Sequence, residues 1–411
     1  MLKKINKYLS FIILCIILTC ATFSLGCAEK NNKKEIKIYI NNKYVQSIYT
    51  EYTDSASVYK TAESIKPSDI NTDPNDDYYF YGWFIDKNFQ TPLTNDTPCT
   101  EISNLYGKWI YVYKNWFSYS VDYGIATITK CSSSTTLFVI PAYINSFPVK
   151  FISDNAFNYK TTIKTAFICN GIEYIDGFGA CNSMTNIIIP NSVKKFGNQC
   201  FMECALLKSI NIPDSVTYIG DHCFKKCISL KSITIPDSVT TISEYAFFDC
   251  ISLTNVTIGN GVTTIGECTF YGCSSLTSIE CAIPEGVTSI GLEAFYGCSS
   301  LTSIAIPEGV TSIGWGAFFG CSSLTSIAIP EGVTKIGEYT FYGCSSLTNV
   351  TIPKNIKTIG VDAFSGCKNL TKIVFSGTKK QWNAINKKDN WDTNTGNYSI
   401  QCTDGIINKQ K

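Results

Sequence analysis

The chain has 411 residues, a formal net charge of +1 and only 16% charged residues. That balance gives no long-range field toward nucleic acid or an anionic surface, and Lys and Arg form no basic stripe of the kind nucleic-acid binding needs. Aromatic residues reach 13% and recur at fixed intervals, which points to a packed core and excludes a largely disordered chain.

Residues 1–27 read as an export signal. Lys3, Lys4 and Lys7 precede an uncharged apolar run from Tyr8 to Leu25, the n-region and h-region of a secretory signal. The run ends in Phe23–Ser24–Leu25–Gly26–Cys27, with small Gly26 directly before a cysteine. This resembles a bacterial lipoprotein signal, although Ser24 stands where that family favours Leu. The resemblance implies that Cys27 is the lipid attachment site and that the protein is a membrane-anchored lipoprotein at the cell surface. Two other readings stay open: an uncleaved anchor, since about 20 apolar residues span a bilayer, and plain secretion. Residues 28–35 are short and polar and read as a tether.

Residues 36–112 read as a small β domain. Ile36–Ile40 alternates, Asn41–Asn42 turns, and Tyr44–Ile48 resumes, a hairpin signal. A turn-rich segment at Asn71–Asp77 precedes Tyr79–Phe80–Tyr81–Gly82–Trp83–Phe84, and Leu105–Tyr106–Gly107–Lys108–Trp109 closes the module. The aromatic–x–Gly–Trp–aromatic strand and the Leu–Tyr–x–Lys–Trp strand resemble the internalin-type B repeat. That family implies a β-grasp-like fold. Trp83 and Trp109 are read as core residues.

Residues 113–375 repeat. Leu301–Gly314 returns 23 residues later as Leu324–Gly337 with one change, Ser312 against Lys335. Ile–Pro or Ile–Gly pairs recur at Ile189, Ile212, Ile235, Ile258, Ile283, Ile306, Ile329 and Ile352; the step is 23 residues except for 25 between Ile258 and Ile283. A period in this range means stacked supersecondary units, a solenoid of the leucine-rich repeat kind with about ten rungs. Within a unit, Ile304–Ile306 alternates as a short strand, Pro307 ends it, and Val310 and Ile313 point a second segment inward. Ala317–Phe318 opens what reads as a helical turn. Phe201, Phe224, Phe247, Phe270, Phe295, Phe318, Phe341 and Phe364 form one column, and Cys204, Cys227, Cys250, Cys273, Cys298, Cys321, Cys344 and Cys367 form another. In-register rungs lie roughly 4.7–4.9 Å apart, whereas a disulfide needs Cβ atoms about 3.8 Å apart, so the column reads as reduced, buried thiols. The two-residue insertion near Glu280–Cys281–Ala282 is expected to bulge from one rung and leave the register intact. Residues 376–411, with Trp382 and Trp391, read as a cap on the last apolar rung.

The repeat consensus, apolar–x–Ile–Pro–x–x–Val–x–x–Ile–Gly–x–x–Ala–Phe–x–x–Cys–x–x–Leu, resembles the BspA-type leucine-rich repeat family. The resemblance implies a surface protein associated with adhesion to host matrix proteins or to other cells.

No catalytic site, metal site or cofactor is expected. His222 is the single histidine; no His-pair metal motif, phosphate loop or dinucleotide fingerprint is present. Cys200, Cys204, Cys223 and Cys227 with His222 have zinc-like spacing, yet they occupy repeat registers that suit small buried residues. Asp214, Asp237, Glu285, Glu308 and Glu331 form an acidic edge, read as a solvated rim. The strand face carries Ser232, Thr234, Asn255, Thr257, Ser303, Ala305, Ser326, Ala328, Asn349 and Thr351, a small uncharged surface. These ten are the candidate binding face, with Thr302, Ser303, Ala305 and Glu308 as the variable positions of the organising unit. The expected partner is a protein on host or neighbouring cells; the competing class is a self-associating surface-coat protein.

Overall fold

The computed structural model describes residues 33–40, 43–51, 78–84, 104–111, 114–280 and 283–409. Cys27 and the export signal lie outside the described residues. Two compact units are distinguished.

The first unit carries a four-stranded mixed sheet. Its strands are β1 (Lys33–Ile40), β2 (Lys43–Glu51), β3 (Tyr78–Phe84) and β4 (Asn104–Tyr111), in the order β2-β1-β4-β3. The alternating Ile36–Ile40 segment pairs antiparallel with β2, Ile36 opposite Ile48, and parallel with β4, Ile38 opposite Leu105. Residues 52–77, the connection between β2 and β3, lie outside the description.

The second unit is a β-solenoid of about 12 turns. It opens with an antiparallel pair, β5 (Phe117–Asp122) on β6 (Ile125–Cys131). From there parallel pairing takes over and two ladders of short strands run along the array. One begins at β7 (Leu137–Ile140) and passes through Thr165–Ile168 and Asn186–Ile188; it is regular again at Ser232–Ile235, Asn255–Ile258 and Ser278–Glu280, and from Ser326–Ala328 onward. The other runs from β6 through Tyr174–Ile175, Lys195–Phe196 and Tyr218–Ile219 to Thr358–Ile359 and Asn386–Lys387, with two residues per strand over most of its length. Two residues suffice because each turn of the coil buries the same few positions against the next.

The core is a set of columns. Leu301, Ile304, Val310, Ile313, Ala317, Phe318 and Cys321 are all buried, as are their equivalents in neighbouring rungs. The phenylalanine column starts earlier than the sequence motif, at Phe157. It continues through Phe178 to Phe364 with centroid steps of 4.7 to 5.8 Å and near-parallel planes. Trp391 lies edge-on to Phe364 and closes the far end. Each column thiol donates to the carbonyl of the phenylalanine one rung back, Cys321 Sγ to Phe295 O at 3.2 Å and Cys344 Sγ to Phe318 O at 3.2 Å. The same carbonyl accepts the backbone N–H of its own rung's cysteine, Cys321 N to Phe318 O. A small side chain with one weak donor fits this position.

The expected helical turn after Gly314 is corrected. Among the described residues the array has no helix here; the one α-helix is Lys379–Ala384, closed by a Thr378/Gln381 capping box. Successive N–H groups from Gly316 to Gly320 alternate in direction. Ala317 and Phe319 donate within the rung, to Gly314 O and Gly316 O, while Gly316, Phe318 and Gly320 donate to Glu338 O, Thr340 O and Tyr342 O of the next rung. A helix would send every N–H four residues back. Left-handed Gly316 and Gly320 break that pattern and turn alternate donors outward, so the turn segment becomes a third inter-rung ladder.

The glycine after Ile313 has a different cause. A Cβ on Gly314 would stand 2.5 Å from the backbone carbon of Gly291 and the nitrogen of Leu292, so backbone contacts backbone between rungs at this register. Residues 281 and 282 of the two-residue insertion lie outside the described residues, but the register around them is kept as expected. Thr302 N–H still meets Thr277 O at 3.1 Å and Gly291 N–H still meets Ile265 O at 2.8 Å, on either side of it.

Candidate functional site

All ten residues of the predicted strand face stand on the outer side of the array. Ser232, Thr234, Ser303, Ala305, Ser326 and Ala328 are exposed, and Asn255, Thr257, Asn349 and Thr351 are half-buried. Pairing aligns them into rows: Ser232 with Asn255, Thr234 with Thr257, Ser326 with Asn349 and Ala328 with Thr351. Within each ladder the rungs stay in register, and the ten positions carry no charged side chain, although Glu280 follows Thr257 in the same row. Asn349 Oδ1 is buried, and no hydrogen-bond donor reaches it among the described residues.

Thr302 belongs to the scaffold. Its hydroxyl donates to Thr277 O at 3.2 Å, and the column repeats with Thr325 to Thr302 O and Thr348 to Thr325 O. Ser322 and Ser345 make the same rung-to-rung bond to Ser299 O and Ser322 O. These hydroxyls reinforce the ladders, which leaves Ser303 and Ala305 as the unit's exposed strand positions outside that bonding. The acidic edge is exposed throughout, from Asp214 to Glu331, and is broken by Asn260 and by Lys354, both also exposed.

The zinc-spaced residues do not converge. His222 has a left-handed backbone and stacks its ring on Tyr245 on the outer side, centroids 4.7 Å apart. Cys223 beside it is fully buried. Cys200, Cys204 and Cys227 donate to three different carbonyls, those of Ile175, Phe178 and Phe201. Burial is the main cause of the strong upward shift of the Cys200, Cys204 and Cys227 thiols, which keeps them protonated and poor ligands.

One outer feature was not anticipated from the sequence. The residue after each core phenylalanine forms a second aromatic stack, Phe248, Tyr271, Tyr296, Phe319 and Tyr342, with centroid steps of 4.4 to 4.7 Å. All five are half-buried. Lys225 Nζ sits 4.9 Å above the Phe248 ring and closes the near end. Since each ring face is covered by the next ring, this strip offers edges and phenol groups to solvent. Its signal was present in the sequence as an aromatic immediately after the column Phe in five consecutive units.

Comparison with known proteins agrees with this geometry. The family model for the BspA-type leucine-rich repeat region matches in several copies, over residues 127–208, 150–277 and 263–385. No curated protein matches. Among solved structures, a leucine-rich cell surface protein from Faecalibacterium prausnitzii is 31% identical, covering 66% of this chain and 96% of its own, with a TM-score of 0.43. A leucine-rich repeat protein of T. pallidum is 27% identical over 46% of this chain and 89% of its own, TM-score 0.45. The pneumococcal vaccine antigen PcpA is 18% identical over 69% of this chain and 97% of its own, TM-score 0.32. With its repeats matched across most of the array, the chain belongs to the BspA-type leucine-rich repeat family.

Proposed function

We propose that the protein is a non-catalytic, cell-surface protein-binding scaffold that acts in adhesion through the strand face of its solenoid. The observation that carries this reading is the set of small outward-facing positions between Ser232 and Thr351, aligned within the Ser232–Glu280 and Ser326–Thr351 ladders and charged only at Glu280. Small side chains on a rigid ladder let a partner's backbone approach closely, and contacts summed over rungs supply affinity that no single residue provides. Family membership and the surface description of the F. prausnitzii protein support the location. In the same reading Cys27 carries the lipid anchor, and the mixed sheet β1–β4 is the core of a β-grasp-like B-repeat module.

The experiment uses residues 28–411, which omit the lipid-bearing Cys27, against immobilised fibronectin, fibrinogen and collagen and against intact epithelial cells. Saturable binding is expected, and Ala305→Arg with Ala328→Arg, both exposed, should weaken it at least tenfold. Absence of binding to every surface, together with concentration-dependent assembly in sedimentation, favours the surface-coat alternative. Metabolic labelling with a palmitate analogue, lost in Cys27→Ala, tests the anchor.

A further inference from the structure

One rung of the array is two residues short on its outer side. The core phenylalanine follows the second-strand apolar residue by five positions in Ile152–Phe157 and in Phe196–Phe201, but by three in Ile175–Phe178. The neighbouring loops keep their full length, so the short rung leaves an open notch between them. Thr127, Phe151, Ser153, Asp154, Asn155, Asn158, Tyr174, Asp176, Asn198, Gln199 and Tyr218 line this depression of about 780 Å³, within the range of small-molecule sites.

The missing residues also remove hydrogen-bond partners. In other rungs the N–H two before the core phenylalanine donates to the carbonyl three before the next one, as Gly316 does to Glu338 O at 3.1 Å and Gln199 to Asp221 O at 2.7 Å. Among the described residues no such bond leaves Asn155 N–H or reaches Asn198 O across the notch. Asn155 N–H and Asn198 O thus lack the inter-rung bond that their registers make elsewhere.

The floor is an aspartate where most rungs have glycine: Asp176 shares the register of Gly197, Gly220, Gly291 and Gly314. It is 4% exposed. Gly197 makes its burial possible, because a Cβ there would overlap the Asp176 carboxylate and the Tyr174 hydroxyl. Oδ1 accepts the Gly177 N–H at 2.7 Å and Oδ2 accepts the Tyr174 hydroxyl at 3.1 Å, which fixes the carboxylate and leaves it further acceptor capacity. Burial raises its pKa to about 6, against the lowering effect of those two hydrogen bonds and with Asp154 adding to the rise; at neutral pH it is an ionised acceptor. The amides are held too. Asn198 Oδ1 accepts the Asp221 N–H at 2.9 Å, and Asn158 Oδ1 accepts the Gly179 N–H at 2.8 Å while its Nδ2 reaches Asn155 Oδ1. The rim is aromatic: Tyr174 and Tyr218 are half-buried and Phe151 is 40% exposed.

We propose that this notch is a binding subsite for a neutral hexopyranose ring, with Asp176, Asn155 and Asn198 making its polar contacts and Tyr174, Tyr218 and Phe151 its apolar shelf. Vicinal hydroxyls both donate and accept, which matches a lining that offers amide donors together with carboxylate and amide-carbonyl acceptors. An anion would meet Asp154 and Asp176. A cation would meet the Asn155 N–H and the amide donors. The site lies on earlier rungs than the strand face Ser232–Thr351, so its occupancy is independent of the protein-binding reading.

The test is saturation-transfer NMR on residues 28–411 with the methyl glycosides of glucose, galactose, mannose, N-acetylglucosamine and N-acetylgalactosamine. At least one should bind, and Asp176→Asn and Asn198→Ala should each weaken it at least tenfold. Inserting Ser–Gly between Asp176 and Gly177, which restores the 23-residue step, should abolish it. Asn198 is exposed, so its variant keeps the fold if the other two do not. Failure of all five glycosides, binding unchanged in Asn198→Ala, or binding of tetramethylammonium with no glycoside bound overturns the proposal.

Discussion

Phe318 and Phe319 are adjacent in sequence and stacked in separate aromatic columns, and they should respond very differently to truncation. Phe318 is fully buried, with ring centroids 5.5 Å from Phe295 and 5.6 Å from Phe341. A buried phenylalanine removes about 150–250 Å² from water, roughly 4–6 kcal/mol at about 25 cal/mol/Å². Partial collapse of the cavity brings the expected cost of Phe318→Ala to about 3–5 kcal/mol. Phe319 stacks more tightly, 4.4 Å from Tyr296 and 4.7 Å from Tyr342. It is half-buried, however, and its truncation leaves a groove that water fills, so about 1–2 kcal/mol is expected. Urea unfolding of the two single variants, followed by far-UV circular dichroism, measures the difference. Because each rung contacts only its neighbours, Phe318→Ala should also broaden the transition as the halves uncouple. Equal losses for the two variants, or a larger one for Phe319→Ala, would falsify the assignment of the inner column as the principal core.

Gly314→Ala should cost at least about 2 kcal/mol, since its Cβ would strike backbone that has nowhere to go, whereas Gly337→Ala, with nearest contacts of 3.1 to 3.7 Å, should cost about 1 kcal/mol or less; thermal melts compare them. The thiols of the cysteine column should resist iodoacetamide in the native protein at pH 8 and react on unfolding, because burial raises them, Cys367 to about 12. Rapid native labelling at Cys321 or Cys344, read by peptide mapping, would contradict their placement. Asp176 has its carboxyl raised from 3.8 to about 6, so the ionised form is disfavoured in the fold. The group's contribution is therefore most favourable below about pH 4 and is lost as pH rises toward and past 6. The rise corresponds to at most about 3 kcal/mol, less where water enters the notch, and Asp176→Asn should remove about 1–2 kcal/mol of the decline between pH 4.5 and 7.5 in urea midpoints. Deleting residues 281 and 282 restores the 23-residue step and should leave stability within about 1 kcal/mol of the parent, since the ladders on either side already hold their register.

The array was legible in the sequence because stacking in register turns a period directly into columns. Leu301, Ile304, Val310, Ile313, Phe318 and Cys321 were all placed in the core by repetition alone, and all are buried. The helical turn was misread for a physical reason. Consecutive turns closed by three-residue hydrogen bonds bring Ala317, Phe318 and Cys321 inward at the same spacing a helix would. The distinguishing signal was the glycine recurring at 272, 297, 320, 343 and 366, whose left-handed backbone a helix does not admit. The outer aromatic strip and the notch both leave a mark in the sequence, but each is a departure from the repeat and not part of its consensus. The strip is a variable position that happens to stay aromatic; the notch is a 21-residue step between Phe157 and Phe178 with an aspartate in a glycine register. The hydroxyl of Thr302 was not assignable from sequence, because an exposed threonine in a strand looks the same whether its proton goes to solvent or to the rung behind.

Leu301–Gly314 and Leu324–Gly337 differ at one residue, and the bonds joining them recur unchanged at the next junction, Thr325 to Thr302 and Thr348 to Thr325. A rung copied at this point meets on each side a surface it already matches. Length is therefore a parameter that the gene can adjust by duplicating or dropping 23 codons, with no redesign of either end. Array length becomes a countable trait, and chains with different rung numbers would differ in span while keeping the same bonds at each duplicated junction.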